Sequence, residues 1–285
     1  MIIVKTKSEA QEVLARWRKA GQRIGVVPTM GALHRGHLSL IDTAKSRSDR
    51  IVVSIFVNPL QFGLNEDFDS YPRQMEGDLE LLKSQGCDIV FAPDHAELFP
   101  ADFSTNISVA GVGEGHCSAT RPQFFDGVAT IVTKLLMILS PDLIVFGEKD
   151  YQQLAVIKRL TRDLDINAEV IGSPTIRETD GLAMSSRNQY LSSSERAIAP
   201  VLFETLALAA KKLAERPDDC RGVSEWAAAC LLEAGFSKID YFNIVDAASL
   251  ATLEYLDRPG RLLAAAWIGK TRLIDNTPIS FPVDE

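Results

Sequence analysis

Residues 27–37 of the chain read Val27-Pro28-Thr29-Met30-Gly31-Ala32-Leu33-His34-Arg35-Gly36-His37. The stretch joins an apolar run over Arg23–Val27, typical of a buried strand, to an amphipathic run over His37–Ser48 with helical periodicity. Open α/β sheets bind their ligands at such junctions. Free backbone N–H groups and the helix dipole favour phosphate there, and Gly31 and Gly36 would let the backbone come close to it. We therefore expect residues 27–37 to form an anion-binding loop.

Apolar runs rich in Val and Ile alternate with amphipathic runs in the first part of the chain. The apolar runs are Arg23–Val27, Ile51–Val57, Asp88–Ala92, Asp142–Phe146 and Ala168–Ile171. The amphipathic runs are His37–Ser48, Pro72–Gln85, Val128–Leu139 and Tyr151–Leu164. Short continuous apolar runs are typical of strands that are buried on both faces of a parallel sheet. The alternation predicts an α/β fold with a Rossmann-like, doubly wound parallel sheet and right-handed crossovers.

The pattern changes after Ser173, where a Ser- and Arg-containing loop precedes two helical runs and three strand-like runs. The helical runs are Ser193–Leu213 and Gly222–Ala234, and the strand-like runs are Ile239–Val245, Leu262–Trp267 and Thr271–Ile274. A chain of 285 residues has room for two domains at roughly 150 residues each. We predict a Rossmann-like domain over residues 1–173 and a smaller α+β domain over residues 174–285.

The composition is that of an ordinary globular protein, with 46% hydrophobic and 24% charged residues. The net charge of -8 and the lack of a long basic run disfavour bulk nucleic-acid binding. We expect a cytoplasmic protein without a membrane partner, because we find neither a signal peptide nor an apolar run of roughly 20 residues. The four cysteines, Cys87, Cys117, Cys220 and Cys230, form no C-x-x-C pair, so reduced thiols are expected.

His34 and His37 are the candidate reactive side chains of the loop. Imidazoles at positions i and i+3 are also found on protein surfaces and in partial metal sites. A metal site would need a third ligand, and the other histidines, His95 and His116, lack ligand-like spacing. An imidazole with a pKa of roughly 6.5 can donate a hydrogen bond or a proton near neutral pH, which suits acid catalysis at a phosphate.

The His34-x-Gly36-His37 motif after a first strand resembles the signature of the adenylyl-transferring nucleotidyltransferase superfamily. The later segment Met184-Ser185-Ser186-Arg187-Asn188 resembles that superfamily's second phosphate-binding motif. Three further segments resemble the pantothenate synthetase family: Phe56-Val57-Asn58-Pro59-Leu60-Gln61-Phe62, Phe125-Asp126-Gly127-Val128-Ala129-Thr130 and Phe146-Gly147-Glu148-Lys149-Asp150-Tyr151-Gln152-Gln153. The family commonly has a His just before the Phe of its Arg-Pro-x-His-Phe segment, whereas Phe124 stands here, so no imidazole acts at that position.

The resemblance implies an ATP-dependent ligase that joins pantoate to β-alanine through an acyl adenylate and releases AMP and pyrophosphate. It gives His37 the role of proton donor and makes His34 and Lys149 catalytic as well. Contacts with ATP are implied for Met30, Gly31, Ala32, Leu33, His34, Arg35, Gly36, His37, Gly147, Glu148, Lys149, Asp150, Ile176, Met184, Ser185, Ser186 and Arg187. Contacts with pantoate and β-alanine are implied for Gln61, Gln153, Asn58, Tyr71 and Arg121.

The same resemblance implies Mg2+ bound with ATP, a homodimer, and a first domain that binds nucleotide and pantoate while the second closes over the active site. Asp150 would bind the ribose hydroxyls or steer Mg2+, and the segments Gln61–Tyr71 and Gly172–Asn188 are candidates for the closing element. Two other classes of function stay open. A plain nucleotidyltransferase would release an AMP conjugate without forming an amide, and a nucleotide-binding or interaction protein on this fold would be non-catalytic.

Overall fold

The structure is a computed structural model that describes residues 1–63 and 66–279. The chain divides into two compact units. The first comprises residues 1–109, 121–148 and 153–174, and the second comprises residues 110–120, 149–152 and 175–285. The domain boundary after residue 173 stays a prediction, because two short segments from the first part of the sequence belong to the second unit.

The first unit is built on a six-stranded parallel sheet, which confirms the predicted α/β fold. Its strands are β1 (Ile2–Val4), β2 (Ile24–Thr29), β3 (Arg50–Ile55), β4 (Ile89–Phe91), β5 (Leu143–Gly147) and β6 (Glu169–Ser173). They lie in the order β1-β4-β3-β2-β5-β6. Successive strands are added on one side of β2 up to β4, and β5 then lies on the other side. The sheet therefore reverses its order between β2 and β5, which is where open α/β sheets bind ligands.

Helices connect these strands along the chain. They are α1 (Lys7–Lys19), α2 (Arg35–Lys45), α3 (Met75–Ser84), α4 (His95–Leu98), α5 (His116–Thr120), α6 (Phe124–Leu139) and α7 (Tyr151–Asp163). Of these, α5 and the first residues of α7 belong to the second unit. The central strands are buried on both faces, with Val26, Val52 and Ile144 at 0% exposure, as the continuous apolar runs predicted.

The N-terminal strand β1 was not predicted, since three residues are too few to show a pattern. It pairs in parallel with β4, with Ile2 opposite Ile89 and Val4 opposite Phe91. Thr6 then begins α1 with a capping box, in which its hydroxyl accepts from Glu9 N–H and the Glu9 carboxylate accepts from Thr6 N–H.

The second unit contains helices and a three-stranded antiparallel sheet, which confirms the predicted smaller α+β part. Its elements are α8 (Ser193–Ile198), α9 (Val201–Glu215), α10 (Cys220–Ala234), β7 (Lys238–Asp246), β8 (Gly260–Ile268) and β9 (Thr271–Ile279). The sequence predicted one helix over Ser193–Leu213, and this was wrong. Pro200 separates α8 from α9, because proline has no N–H with which to continue a helix.

No helix in the described part of the chain is long and apolar enough to span a membrane.

Candidate functional site

The loop after β2 leads into α2 through His34, which caps the helix. The Nδ1 atom of His34 accepts from Gly36 N–H at 3.1 Å, and the Nδ1 atom of His37 accepts from His34 N–H at 3.4 Å. The two rings lie 4.1 Å apart between centroids. A nitrogen that accepts from an N–H carries no proton, so each neutral ring has its proton on Nε2. The cap therefore places the donor hydrogen of both rings on Nε2.

The structure corrects the prediction of free N–H groups in this loop. Ala32 N–H and Leu33 N–H donate to the two carboxylate oxygens of Asp78, at 2.9 and 2.8 Å, and Gly31 N–H donates to the Thr29 hydroxyl at 3.2 Å. Asp78 lies in the first turn of α3 and is 2% exposed. The loop thus contacts a buried carboxylate that the sequence analysis missed, and this carboxylate holds two of the groups that were expected to bind phosphate.

Two residues of this loop have positive φ angles. Gly31 has φ +82°, and a Cβ there would lie 3.0 Å from the Asp78 carboxylate, so a close approach and the backbone conformation both require glycine. Ala32 has φ +50°, a conformation that costs a non-glycine residue about 1 kcal/mol. The contacts with Asp78 hold the backbone in this conformation.

Met30, Asn58 and Gln61 lie together in the first unit. Asn58 is 1% exposed, and its side-chain N–H groups donate to Gln61 Oε1 at 3.1 Å and to the Gly127 carbonyl at 3.0 Å. Gln61 Nε2 lies 3.1 Å from the sulfur of Met30. The two donors of Asn58 are both used within the protein, so its evident role is to orient Gln61.

Gly127 explains why the turn Pro59–Gln61 can pack on α6. A Cβ at this position would lie 2.1 Å from the Leu60 carbonyl oxygen, so any larger residue would push the turn away. Gly127 therefore fixes the distance between Gln61 and α6.

Arg121 is held by its neighbours in the first unit. Its guanidinium forms a bidentate ion pair with Glu66, donates to the Gln61 carbonyl at 3.0 Å, and lies 3.7 Å above the centre of the Phe124 ring. Phe124 thus provides an aromatic face to Arg121 at the position where the resemblance would place an imidazole. The predicted contact of Arg121 with substrate stays a prediction.

The remaining predicted residues of the first unit lie at or after the end of β5, in the loop after Gln61 and at the start of α2. Gly147 is the last residue of β5, Glu148 follows it, and Gln153 is half-buried in the first turn of α7. Tyr71 is buried and meets the Phe62 ring edge-on at 5.7 Å, while Arg35 is exposed at the start of α2. Leu64 and Asn65 of the Gln61–Tyr71 segment lie outside the described residues.

Lys149 and Asp150 belong to the second unit. The Lys149 carbonyl accepts from Asn276 Nδ2 at 2.8 Å, and Arg261 donates to the other side of that Asn276 amide at 2.7 Å. The Lys149 ammonium lies 4.0 Å from the Asp150 carboxylate, and the Lys149 side chain is 18% exposed. Asn276 is a second residue that the sequence analysis missed, and it fixes the backbone that carries Lys149.

The segment with Ile176 and Met184–Arg187 is a small hairpin followed by a short turn. Arg177 and Ala183 form an antiparallel bridge, and Met184 N–H donates to the Ile176 carbonyl at 2.9 Å. The Ser185 hydroxyl then accepts from Arg187 N–H at the start of the turn Ser186–Tyr190. Arg177 ties the hairpin to β9 through a bidentate ion pair with Asp275, at 2.6 and 3.0 Å.

The structure also bears on alternative chemistries. Across residues 1–63 and 66–279, no group of three or more His, Cys, Asp or Glu side chains is arranged to hold a metal ion. The four cysteines form no disulfide, and burial raises the pKa of Cys87 to about 12 and also raises the pKa of Cys220. Buried thiols with raised pKa values are poor nucleophiles, so Cys87 and Cys220 are not suited to nucleophilic chemistry.

Comparison with known proteins identifies the family. The family model described as Pantoate-beta-alanine ligase matches residues 2–278. The chain belongs to the pantoate-beta-alanine ligase family. Among its relatives, the pantothenate synthetase of Paramagnetospirillum magneticum is 54% identical over 96% of both chains, and that of Rhodospirillum rubrum is 51% identical over 96% of this chain and 97% of the relative.

Solved structures of the family share the whole fold. Pantothenate synthetase from Thermus thermophilus has a TM-score of 0.88 at 42% identity, and the match covers 98% of this chain and 99% of that one. The pantoate-beta-alanine ligase of Francisella tularensis, complexed with beta-gamma ATP and beta-alanine, has a TM-score of 0.82 at 35% identity, and the match covers 99% of both chains.

Proposed function

We propose that this protein joins pantoate to β-alanine at the expense of ATP, through a pantoyl-adenylate intermediate. The match of the ligase family model to residues 2–278 carries the proposal. The local geometry supports it, because the oriented amide of Gln61 lies against Met30, in the loop that carries the paired imidazoles of His34 and His37.

In the first step, a carboxylate oxygen of pantoate attacks the α-phosphorus of ATP. The bond from that phosphorus to the bridging oxygen breaks, and pyrophosphate leaves with the additional negative charge. Such a step is accelerated mainly by positioning and by stabilising the developing charge. The Nε2–H groups of His34 and His37 can donate to the phosphate oxygens, and His37 is the proposed proton donor.

Lys149 and the segment Ser185–Arg187 are the proposed groups for the departing pyrophosphate. A compact ammonium, two hydroxyls and a guanidinium are suited to phosphate oxygens. Asn276 holds the Lys149 backbone, and the Ser185 hydroxyl begins the turn that carries Arg187. Gly147, Glu148 and Ile176 are proposed to contact the nucleotide, and Asp150 is proposed to contact the ribose or Mg2+.

Gln61 and Gln153 are the proposed ligands of pantoate. A neutral amide can both donate to the carboxylate and accept from a hydroxyl, and it leaves the attacking oxygen nucleophilic. Asn58 holds Gln61 Oε1, so the Gln61 amide has one preferred orientation and presents its N–H group. In the second step, the amine of β-alanine attacks the acyl carbon, the bond to AMP breaks, and the amine loses a proton to solvent.

Mg2+ is proposed to enter with ATP as part of the substrate. Mg2+ that enters with ATP is held chiefly by phosphate oxygens. We also propose that the protein acts in the cytoplasm as a homodimer, on the basis of the family resemblance. Light scattering of the purified protein tests the dimer, and a mass of one 31.3 kDa chain would contradict it.

The decisive experiment measures AMP and pyrophosphate from Mg-ATP with pantoate and β-alanine, with each substrate omitted in turn. We expect pantothenate to form in step with AMP only when both partners are present, as identified by mass spectrometry. An adenylylated product without an amide would place the protein among plain nucleotidyltransferases. If no reaction occurs, a binding protein without catalysis is the better description.

A further inference from the structure

We infer that Asp78 is a positioning residue for the proposed reaction: it holds the loop of residues 29–37 in the shape that places His34 and His37 at the nucleotide. The inference rests on the proposed function, since the reaction supplies the kinetic readout. None of the residues predicted from the sequence to form the site lies in α3, which carries Asp78.

The contact is a buried, charge-assisted one. The two carboxylate oxygens of Asp78 accept one backbone N–H each, from Ala32 at 2.9 Å and Leu33 at 2.8 Å, and Asp78 is 2% exposed. Hydrogen bonds from N–H to a carboxylate are stronger than neutral ones. Asp78 also lies in the first turn of α3, where the helix dipole stabilises a negative charge. These interactions stabilise the buried carboxylate.

The loop requires such a partner because its backbone is unusual. Gly31 and Ala32 both have positive φ angles, +82° and +50°, so the chain makes a tight turn directly before His34. This turn directs the Ala32 and Leu33 N–H groups towards α3. His34 caps α2 two residues after Ala32, so a change in the turn would move the His34 cap and the neighbouring ring of His37.

The loop also lies near the two ends of the Gln61–Tyr71 segment. That segment ends at Tyr71, and α3 begins at Met75 after only three further residues. Gln61 at its start lies against Met30 of the same loop. The loop with the imidazoles thus contacts Gln61 through Met30 and contacts α3 through Asp78.

The position of Asp78 has a consequence for the nucleotide. A pair of N–H groups at positions 32 and 33 would bind an anion if they were open, and the carboxylate occupies both. The carboxylate is itself negative, so it repels a phosphate from these atoms. The phosphates are then directed to the imidazole Nε2–H groups, where the proposed chemistry takes place.

The test compares Asp78→Asn with Asp142→Asn. The asparagine side chain in Asp78→Asn keeps the size of the aspartate but has only one acceptor oxygen, so it could no longer accept from both Ala32 N–H and Leu33 N–H with separate oxygens. Asp142 is the control, because its exposed carboxylate accepts from Ile24 N–H at 2.7 Å at the opposite end of the same strand, β2. Steady-state kinetics are measured at a temperature at which both variants are folded.

We expect Asp78→Asn to lower kcat/KM for ATP about 10- to 100-fold, the size of effect that a misplacement of about 1 Å has on a reaction. The kcat/KM for β-alanine should stay within about twofold, since the amine reacts with an adenylate that has already formed. Asp142→Asn should change neither constant. If Asp78→Asn lowers the melting temperature but leaves the ATP kinetics like those of the control, Asp78 has a purely structural role and the inference is overturned.

A second measurement needs neither activity nor a folded variant, because it uses the wild-type protein. Amide hydrogen exchange of the wild-type protein should show protection of Ala32 and Leu33, although both lie in a loop. Exchange at the rate of an open loop would overturn the inference whatever the variant does. If the wild-type protein forms no pantothenate but both amides are protected, the proposed function fails while the contact of Asp78 stands.

Discussion

The two segments proposed to bind phosphate, residues 29–37 in the first unit and residues 184–187 in the second, are held by different kinds of interaction. The first lies between a buried strand and a helix, and its backbone N–H groups donate to Asp78, Thr29 and the imidazoles. The second follows a small hairpin that the Arg177–Asp275 ion pair connects to β9.

This difference predicts how substitutions act in the two segments. In the first, the reactive groups are themselves part of the cap, so removing one changes the chemistry directly. In the second, the tie lies several residues from Ser185 and Arg187, so removing it first changes stability. In the first segment, substitutions should therefore lower kcat more than stability. In the second segment, they should lower stability more than kcat.

The largest expected effect comes from His37→Ala. Loss of a general acid typically lowers the rate about 10²- to 10⁴-fold, so kcat should fall by roughly 1000-fold. The unfolding free energy should change by only about 0.5 kcal/mol, because the ring is half-buried and its contact with His34 N–H is long. The measurement is kcat from AMP release together with chemical denaturation.

His95→Ala is the control for this variant, since His95 is exposed and starts the short helix α4. Its kcat should equal that of the wild type. A His37→Ala variant with wild-type turnover would remove the catalytic role assigned to that imidazole.

Asp275→Asn breaks the tie of the second segment. The Asp275 side chain is 2% exposed and the Arg177 side chain 19% exposed, and removing one partner of such a pair typically costs about 3–5 kcal/mol. The variant should lose about 3 kcal/mol of unfolding free energy by urea denaturation, while its kcat at low temperature falls less than that of His37→Ala. Stability thus falls more than kcat in this variant, whereas kcat falls more than stability in His37→Ala.

Glu225→Gln is the matched control for Asp275→Asn, because Glu225 also pairs with an arginine, Arg221, but both side chains are largely exposed. It should show no measurable change in stability. Equal losses in the two variants would mean that the Arg177–Asp275 pair does not hold the segment.

Two buried asparagines extend the comparison to substrate binding. Asn58 orients Gln61 in the first unit, and Asn276 holds the Lys149 carbonyl in the second. Loss of a buried hydrogen-bonding partner costs about 1–3 kcal/mol, so Asn58→Ser should raise the KM for pantoate about tenfold. Asn276→Ser should lower kcat with little change in that KM. Kinetics with pantoate as the varied substrate separate the two, and the same response in both variants would contradict the separate roles of Gln61 and Lys149.

The sequence predicted the parts of the molecule that depend on local pattern. The strands β2, β3 and β5 are continuous apolar runs because both of their faces are covered, and the loop after β2 was found because glycine and histidine follow such a run. The sequence shows Pro200, but the Ala- and Leu-rich periodicity on both sides of it led to the prediction of one continuous helix.

The partners of the site residues could not be predicted in this way. Asp78 contacts a residue 46 positions away, and Asn276 contacts one 127 positions away. No spacing within α3 or β9 distinguishes these residues from other polar ones, since their role arises only when the chain folds. The same holds for Glu66, whose ion pair with Arg121 spans 55 positions.

The smallest expected effect concerns acid stability in the second unit. Burial acts to raise the pKa of Asp240, but hydrogen bonds from Arg272, Lys238 and Trp267 outweigh it and lower the pKa below the ordinary value of 3.8. The unfolded chain therefore binds the proton more readily than the folded one. The stabilising contribution is present above about pH 4 and is lost as the pH falls through the lowered pKa.

Asp240→Asn should remove this dependence. The unfolding free energies of wild type and variant should therefore converge between about pH 5 and the acid limit of folding, as followed by urea denaturation at a series of pH values. A constant difference between the two proteins over that range would show that the Asp240 carboxylate has the same pKa in the folded and unfolded states, and would assign any loss in the variant to packing alone.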